Sequence, residues 1–243
     1  MRVKITLEYD GSKFYGYQIQ KETTNTVAYS LQNALNILNI SNTPIASGRT
    51  DKGVHALGQV LHLDLPVYWG DLKRLKFSLN KILFPTINIK KIQKVHKNFH
   101  ARYDAKSRVY RYLISTKEPS VFLMPYITFL RDVDMKKIKN SIKLFEGRHD
   151  FEYFKKCGSD TKNFTREIYK ADFYRYKDLY IFYFEANGFL RSQIRMMVSF
   201  LLQISDGKLS KNELKLQLEK RDIFSTSLAP PNGLYLTKVK YGA

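Results

Sequence analysis

One short segment holds most of the residues whose types and spacing suggest chemistry. It runs Ser-Gly-Arg-Thr-Asp-Lys-Gly-Val-His over residues 47–55, so two glycines bracket Arg49 and Asp51. Glycine allows tight backbone conformations, which would let the turn present these side chains outward. The segment alone also fits an ordinary turn, in which Asp51 only accepts a bond from a neighbouring N–H.

A second group of candidates lies on a predicted helix from about Leu190 to Ile204. Arg195 shares a face with Val198 and Leu202, on the side otherwise committed to burial, and Arg191 lies one turn earlier. Both arginines would sit in the first turns, where the helix dipole disfavours positive charge. They are therefore expected to bind an anion, either a carboxylate or a phosphate. Extension of the long stems to the surface is the alternative.

Other catalytic and binding constellations are absent from the sequence. The glycine spacing matches neither a P-loop nor a dinucleotide fingerprint, and no G-x-S-x-G motif occurs. His96 and His100 lack the Glu of an H-E-x-x-H site, and His62 and His149 are scattered. The sequence therefore predicts no metal site.

Charge and aromatic content point to a polyanionic partner. The chain has 243 residues, a formal net charge of +19 and 33 tyrosines and phenylalanines (17 Tyr and 16 Phe). Phosphates attract Lys and Arg, and unpaired bases stack on aromatic rings. A compositional bias of the genome is the alternative. Because the basic residues are spread along the chain, they favour a folded surface over a disordered basic arm.

Composition also bounds the class of protein. A hydrophobic content of 44% suffices for a core, and the single Cys157 excludes a disulfide framework and fits a reducing cytosol. Glu8 and Asp10 interrupt any secretory signal, and the longest uncharged stretch, residues 23–48, is too polar to span a bilayer. A soluble, cytoplasmic protein without membrane contact is expected.

Hydrophobic periodicity predicts the elements that must position these residues. In the first half, Asn25 or Thr26 would cap a helix. The predicted strands are 3–9, 60–65, 87–95, 107–115, 166–174, 179–186 and 234–241, and the predicted helices are 27–38, 72–82, 135–145, 190–204 and 211–218. This order predicts an α+β fold of two similar mixed α/β sub-domains, residues 1–104 and 105–243. Their antiparallel sheets would be joined across the middle, with a catalytic cleft between them.

The segment GRTDKGVHALGQV, residues 48–60, resembles the active-site motif of the tRNA pseudouridine synthase A family. Four further segments resemble that family's other motifs, in the same order and over nearly the whole chain. They are residues 7–18, 99–102 with 110–112, 187–190 with 193–195, and 229–236.

The resemblance implies a cofactor-independent isomerase that converts uridine to pseudouridine in tRNA. The N1–C1′ bond breaks, the uracil rotates, and C5 rejoins C1′. The implied substrates are uridines 38, 39 and 40 of the anticodon stem-loop, held by a homodimer. A relative with another RNA target and a non-catalytic RNA-binding module are the two alternatives.

The resemblance also implies catalytic roles. Asp51 would be the catalytic carboxylate, acting on the base or on the ribose. Tyr110 would stack on the flipped uracil and help to remove the C5 proton, although a strand tyrosine more commonly packs in a core. Arg195 would pair with Asp51.

Four further residues are expected to contact RNA. Arg49 would help to extrude the target base, and Arg191 would contact a phosphate. Lys52 stands where bacterial members most often have a small residue, and it would either add a phosphate contact or favour the ionised form of Asp51. His55 belongs to the same motif but also fits a structural role. Leu190 and Arg191 stand where many members have histidine-type residues.

Overall fold

A computed structural model of the protein describes residues 1–158 and 162–242. Its backbone divides into two compact units, Met1–Lys106 with Tyr235–Ala243, and Ser107–Leu234. The final strand is thus grouped with the first unit. The sequence-based limits, 1–104 and 105–243, stay a prediction.

The described residues form five α-helices and ten strands. The helices are α1 (Val27–Ile37), α2 (Leu72–Leu83), α3 (Met135–Ile142), α4 (Gln193–Ser205) and α5 (Lys211–Leu218). The strands are β1 (Arg2–Tyr9), β2 (Ile45–Ala46), β3 (His55–Asp64), β4 (Ile87–Lys94), β5 (Ala105–Ser115), β6 (Thr128–Phe129), β7 (Gly147–Asp150), β8 (Thr165–Tyr176), β9 (Leu179–Ala186) and β10 (Leu234–Tyr241).

The first unit places β1 at the centre of its strands. The order is β4-β1-β3-β10, with β2 beside β3. Strand β1 is antiparallel to β3 and β4, whereas β10 runs parallel to β3. Alternate residues of β1 are buried, as its period-two pattern requires. The buried stripes of α1 and α2 complete this core, and the Thr26 hydroxyl caps α1 by accepting a bond from the Tyr29 N–H.

The second unit has an aromatic core. Its strands run in the order β5-β9-β8-β7, with β6 parallel to β5 and the other pairs antiparallel. Fully buried rings include Tyr112, Phe173, Phe182 and Phe200. Helix α3 packs on β8 and α4. Asp134 caps α3, and Ser210 with Glu213 forms a capping box on α5.

The predicted α+β fold with mostly antiparallel strands is confirmed. Three short strands, β2, β6 and β7, were not predicted, because two to four residues are too few to show a period. The predicted start of the fourth helix at Leu190 is wrong, since α4 begins at Gln193. Among the described residues, no helix combines the length and the apolar character that a bilayer span requires.

Candidate active site

Asp51 opens a tight turn that leads directly into β3. Its carbonyl accepts a hydrogen bond from the Val54 N–H at 3.2 Å. Gly53 occupies the third position of this turn with φ 78°, a conformation that side-chain-bearing residues rarely adopt. Asp51 is half-buried, whereas Lys52 at the turn's second position is exposed. The turn therefore holds a half-buried carboxylate shortly before the start of β3.

Buried polar side chains fix the backbone just before Asp51. The Thr50 hydroxyl lies 2.8 Å from the hydroxyl of Tyr9 in β1, and both side chains are buried. The Gln59 amide accepts a bond from the Ser47 hydroxyl at 2.8 Å and donates to the Gly48 carbonyl at 3.0 Å. Residues 47–50 are thus attached to two neighbouring strands, which limits the positions open to Asp51.

The glycine-aromatic loop after β1 lies directly against this segment. A Cβ on Gly11 would stand 2.0 Å from the Val54 carbonyl oxygen, so only glycine fits. Gly16 has φ 104°, and a Cβ there would stand 3.1 Å from the Thr50 carbonyl oxygen and 3.2 Å from the Lys52 nitrogen. The Tyr17 N–H also donates to the Thr50 carbonyl at 3.0 Å. The loop therefore packs against the backbone of the Asp51 segment and restricts its movement.

His55 is buried under the turn, with 2% of its surface exposed. Its Nδ1 accepts a hydrogen bond from the Gly11 N–H at 3.1 Å and lies 3.4 Å from an Asp10 carboxylate oxygen. The shorter, directed bond from Gly11 requires Nδ1 to carry no proton. The imidazole also stacks on the Tyr235 ring at 4.7 Å. These contacts hold the supporting loop to the start of β3.

Lys52 and Arg49 are the exposed cations of the segment. The Lys52 ammonium lies 3.9 Å from the centre of the Tyr15 ring, a cation–π contact with a half-exposed aromatic side chain. This pair presents a positive charge and an aromatic face together, next to Asp51 in the chain.

In the second unit, Tyr110 lies on β5 and is 9% exposed. Its ring meets the edge of Phe189 at a centroid distance of 5.3 Å, and its strand partner in β9 is Phe184. Tyr110 is thus held by aromatic packing, with a small part of its side chain open to solvent.

Arg195 is the third residue of α4, and it is half-buried. Its Nε donates to the Ala229 carbonyl at 2.8 Å, and its own carbonyl accepts from the Ala229 N–H at 3.0 Å. Both the side chain and the backbone of Arg195 are therefore attached to one residue of the C-terminal motif. The predicted first-turn position of this cation is confirmed.

Arg191 does not lie on the helix, and its predicted place on the helical face of Arg195 is wrong. Ser192 separates it from α4 with φ 59°, which turns the chain before the helix begins. The exposed Arg191 side chain donates from Nη1 to the carbonyls of Cys157 and Gly158, at 3.2 and 3.3 Å. A phosphate contact by Arg191 stays a prediction.

The structure thus collects Arg49, Asp51, Lys52 and His55 in one segment of the first unit, while Tyr110, Arg191 and Arg195 belong to the second unit. Sequence reasoning missed the supporting residues Tyr9, Thr50 and Gln59. Gln59 carried a signal, because a glutamine within a strand of apolar residues is either an edge residue or a buried hydrogen-bonding group. No group of three or more metal-ligating side chains occurs within the described part of the chain.

Comparison with known proteins identifies the class of protein to which these motifs belong. A family model described as tRNA pseudouridine synthase matches residues 5–104 and 141–242. A tRNA pseudouridine synthase A of Wolinella succinogenes is 45% identical over 97% of this chain and 92% of its own length. Proteins of the same name from Campylobacter jejuni and Helicobacter hepaticus are 43% and 40% identical, over 99% and 98% of this chain and 100% and 98% of their own lengths.

The chain belongs to the tRNA pseudouridine synthase family. It is therefore an isomerase that modifies tRNA, as its motifs predicted.

Proposed function

We propose that this enzyme isomerises uridines 38, 39 and 40 in the anticodon stem-loop of tRNA. In this reaction the N1–C1′ bond of the uridine breaks, a C5–C1′ bond forms, C5 loses its proton and N1 gains one. The balance needs no oxidant, reductant or cofactor. The order of the five motifs supports the proposal, together with relatives of the same name that match almost end to end.

Asp51 is the proposed catalytic carboxylate. The observation that carries this role is the support given to its backbone: two strands and the glycine-aromatic loop hold the turn of a half-buried aspartate. Such support is what a reacting group needs, because small displacements of a reacting group are costly. Asp51 acts on the target uridine at the base or at the ribose.

Tyr110 and Arg195 complete the proposed catalytic set. Tyr110, nearly buried among aromatic rings, offers the fixed face on which a flipped uracil stacks, and it helps to remove the C5 proton. Arg195, attached to Ala229 at both side chain and backbone, supplies the fixed cation of the proposed catalytic set.

The exposed cations are proposed to hold the RNA. Arg49 helps to extrude the target base, Lys52 and Arg191 contact phosphates, and the Tyr15 ring beside Lys52 adds a surface for stacking. Because His55 is buried, we assign it an indirect part in RNA binding, through the position of the segment above it. We further propose that the enzyme acts in the cytoplasm as a homodimer.

The substrate assignment is tested with tRNA transcripts that carry uridine at only one of positions 38, 39 and 40. A matched transcript with cytidine at all three positions is the control. We expect pseudouridine, mapped by base-specific chemical modification and primer extension, at each single uridine and nowhere in the control. Pseudouridine outside the anticodon arm, with none inside it, would contradict the assignment.

A further inference from the structure

The C-terminal motif of the second unit connects Arg195 to a fully buried tyrosine. Ala229 contacts Arg195 through two hydrogen bonds, and the next residue, Pro230, offers its carbonyl to the Tyr112 hydroxyl at 2.9 Å. Tyr112 lies two residues after Tyr110 on β5 and has no exposed surface. Strand β5 therefore carries the proposed catalytic tyrosine and, on the same face, a second tyrosine. The hydroxyl of this second tyrosine is bonded to residues 229–230, the segment that contacts Arg195.

Only one placement of the Tyr112 and Thr128 hydroxyl protons makes both of the shortest contacts of Tyr112 hydrogen bonds. Each hydroxyl has a single proton to donate. The Tyr112 hydroxyl lies 2.7 Å from the Thr128 hydroxyl, whereas the contact from Thr128 to the side-chain amide oxygen of Asn232 is 3.3 Å. Thr128 therefore donates to Tyr112, and Tyr112 donates to the Pro230 carbonyl.

The far end of the motif is also held by hydrogen bonds. The Asn232 amide donates to the carbonyls of Met124 and Ile127, at 2.7 and 2.9 Å. A Cβ on Gly233 would stand 2.7 Å from the Leu113 carbonyl oxygen, so the motif lies directly against β5. Residues 229–233 thus have anchors at both ends, and the Tyr112 bond lies between them.

Burial raises the pKa of Tyr112 to about 12, whereas the hydrogen bond with Thr128 and the positive charge of Arg195 oppose that rise. A hydroxyl buried in this way has no access to substrate, so its effect on the reaction must pass through other groups.

We propose that Tyr112, oriented by Thr128, is a positioning residue for Arg195: its hydroxyl fixes the Pro230 carbonyl and so the Ala229 carbonyl that orients the guanidinium. Loss of the hydroxyl leaves the Pro230 carbonyl without this donor and lets the 229–230 segment shift. The transition state, which depends on the placement of Arg195, is affected more than tRNA binding. This inference rests on the catalytic role proposed for Arg195.

The test compares kcat and KM of purified variants on a tRNA transcript. Displacement of a catalytic group by about 1 Å can cost roughly 100-fold in rate, so Tyr112→Phe should lower kcat by about 10- to 100-fold with KM for tRNA near the wild-type value. Tyr183→Phe is the matched control, because it also removes a bonded tyrosine hydroxyl from the second unit. The Tyr183 hydroxyl donates to Glu185 and is not bonded to residues 229–230. Its kcat should stay near wild type.

Two variants of Thr128 provide a second test, which does not depend on the folding of Tyr112→Phe. Thr128→Ser keeps the donor and should retain most of the wild-type kcat, whereas Thr128→Val removes it and should lower kcat as Tyr112→Phe does. Equal kcat values for the Ser and Val variants would overturn the proposal, and so would a wild-type kcat for Tyr112→Phe. Arg195→Ala separates the catalytic role of Arg195 from the positioning role of Tyr112. If Arg195→Ala leaves kcat intact, the catalytic role of Arg195 fails. If Arg195→Ala abolishes turnover and Tyr112→Phe leaves turnover unchanged, only the positioning role of Tyr112 fails.

Discussion

Two buried tyrosines beside the Asp51 segment differ in whether their hydroxyls are hydrogen-bonded. The Tyr9 hydroxyl is bonded to Thr50, whereas that of Tyr17 has no partner among the described residues. Burial raises the pKa of Tyr9 to about 12, and it raises the pKa of Tyr17 further. Both hydroxyls therefore stay protonated throughout the working range, and only that of Tyr9 contributes to holding the segment.

This difference predicts opposite effects of removing the two hydroxyls. A buried polar group without a partner costs about 1–3 kcal/mol, and a satisfied bond contributes about 1 kcal/mol. Tyr17→Phe should raise the free energy of unfolding by about 1 kcal/mol, and Tyr9→Phe should lower it by a similar amount. Urea denaturation of both variants measures the effect. A loss of stability in Tyr17→Phe equal to that in Tyr9→Phe would contradict the account.

His62 makes the stability of the first unit depend on pH. Its Nδ1 accepts a bond from the Ala101 N–H at 3.1 Å, and burial lowers its pKa from the ordinary value of 6.5, helped by the nearby charge of Arg2. The unfolded chain therefore binds a proton at His62 more readily than the folded chain does. Stability from this group is complete above about pH 6.5 and is lost as the pH falls toward the lower folded-state pKa.

His62→Asn should remove that loss, because an asparagine oxygen still accepts the Ala101 bond but does not titrate. We expect the free energy of unfolding of wild type, relative to that of this variant, to fall between pH 7 and pH 5. His96→Asn, at an exposed histidine, is the control and should follow the wild-type curve. Parallel curves of unfolding free energy against pH for wild type and His62→Asn would show that His62 does not cause the pH dependence of stability.

At the level of secondary-structure elements, the loop after β1 packs against the Asp51 turn, and the Val54 backbone leaves no room for a Cβ on Gly11. Gly11→Ala forces its new methyl group onto the Val54 backbone, and overpacking of this kind costs about 1–3 kcal/mol. We expect lower stability and, in the folded fraction, a lower kcat, because the turn that carries Asp51 must shift. Both are measured on purified protein, by urea unfolding and by turnover of tRNA.

Gly70→Ala is the matched control, since nothing lies within 4 Å of a Cβ at that position. It should change the free energy of unfolding by less than about 0.5 kcal/mol and leave kcat intact. If Gly11→Ala behaves in the same way as Gly70→Ala, the loop does not support the turn.

The long elements could be predicted from the sequence because their periods are local. Helix α1 begins at Val27 and β9 spans Leu179–Ala186, as predicted. The start of α4 could not be predicted, because the left-handed turn at Ser192 and the bond from the Leu190 N–H to the Gln193 side chain precede it. In the candidate site, the motifs pointed to Asp51 and Arg195, and their catalytic roles stay predictions. Their supports, such as the Thr50–Tyr9 bond, join residues 41 apart, and no local pattern records such a contact.

At the scale of the whole molecule, the net charge of +19 predicts tRNA binding that weakens steeply with salt. Each phosphate neutralised by Lys or Arg adds about 0.7–0.9 to the slope of log affinity against log salt concentration. Lys52→Gln should reduce that slope by about one if Lys52 contacts a phosphate, and Lys52→Arg should leave it unchanged. Filter binding between 50 and 200 mM salt measures both, and affinity that does not change with salt would contradict the role of the charge.

We propose that Asp51 is the carboxylate that acts in the isomerisation of uridine in tRNA. Isomerisation releases the proton at uracil C5, so a tRNA transcript tritiated at that position reports turnover directly. We expect tritium release to water by wild type and none by Asp51→Asn, with tRNA affinity retained because the amide has nearly the same shape. Tritium release by Asp51→Asn at the wild-type rate would contradict it.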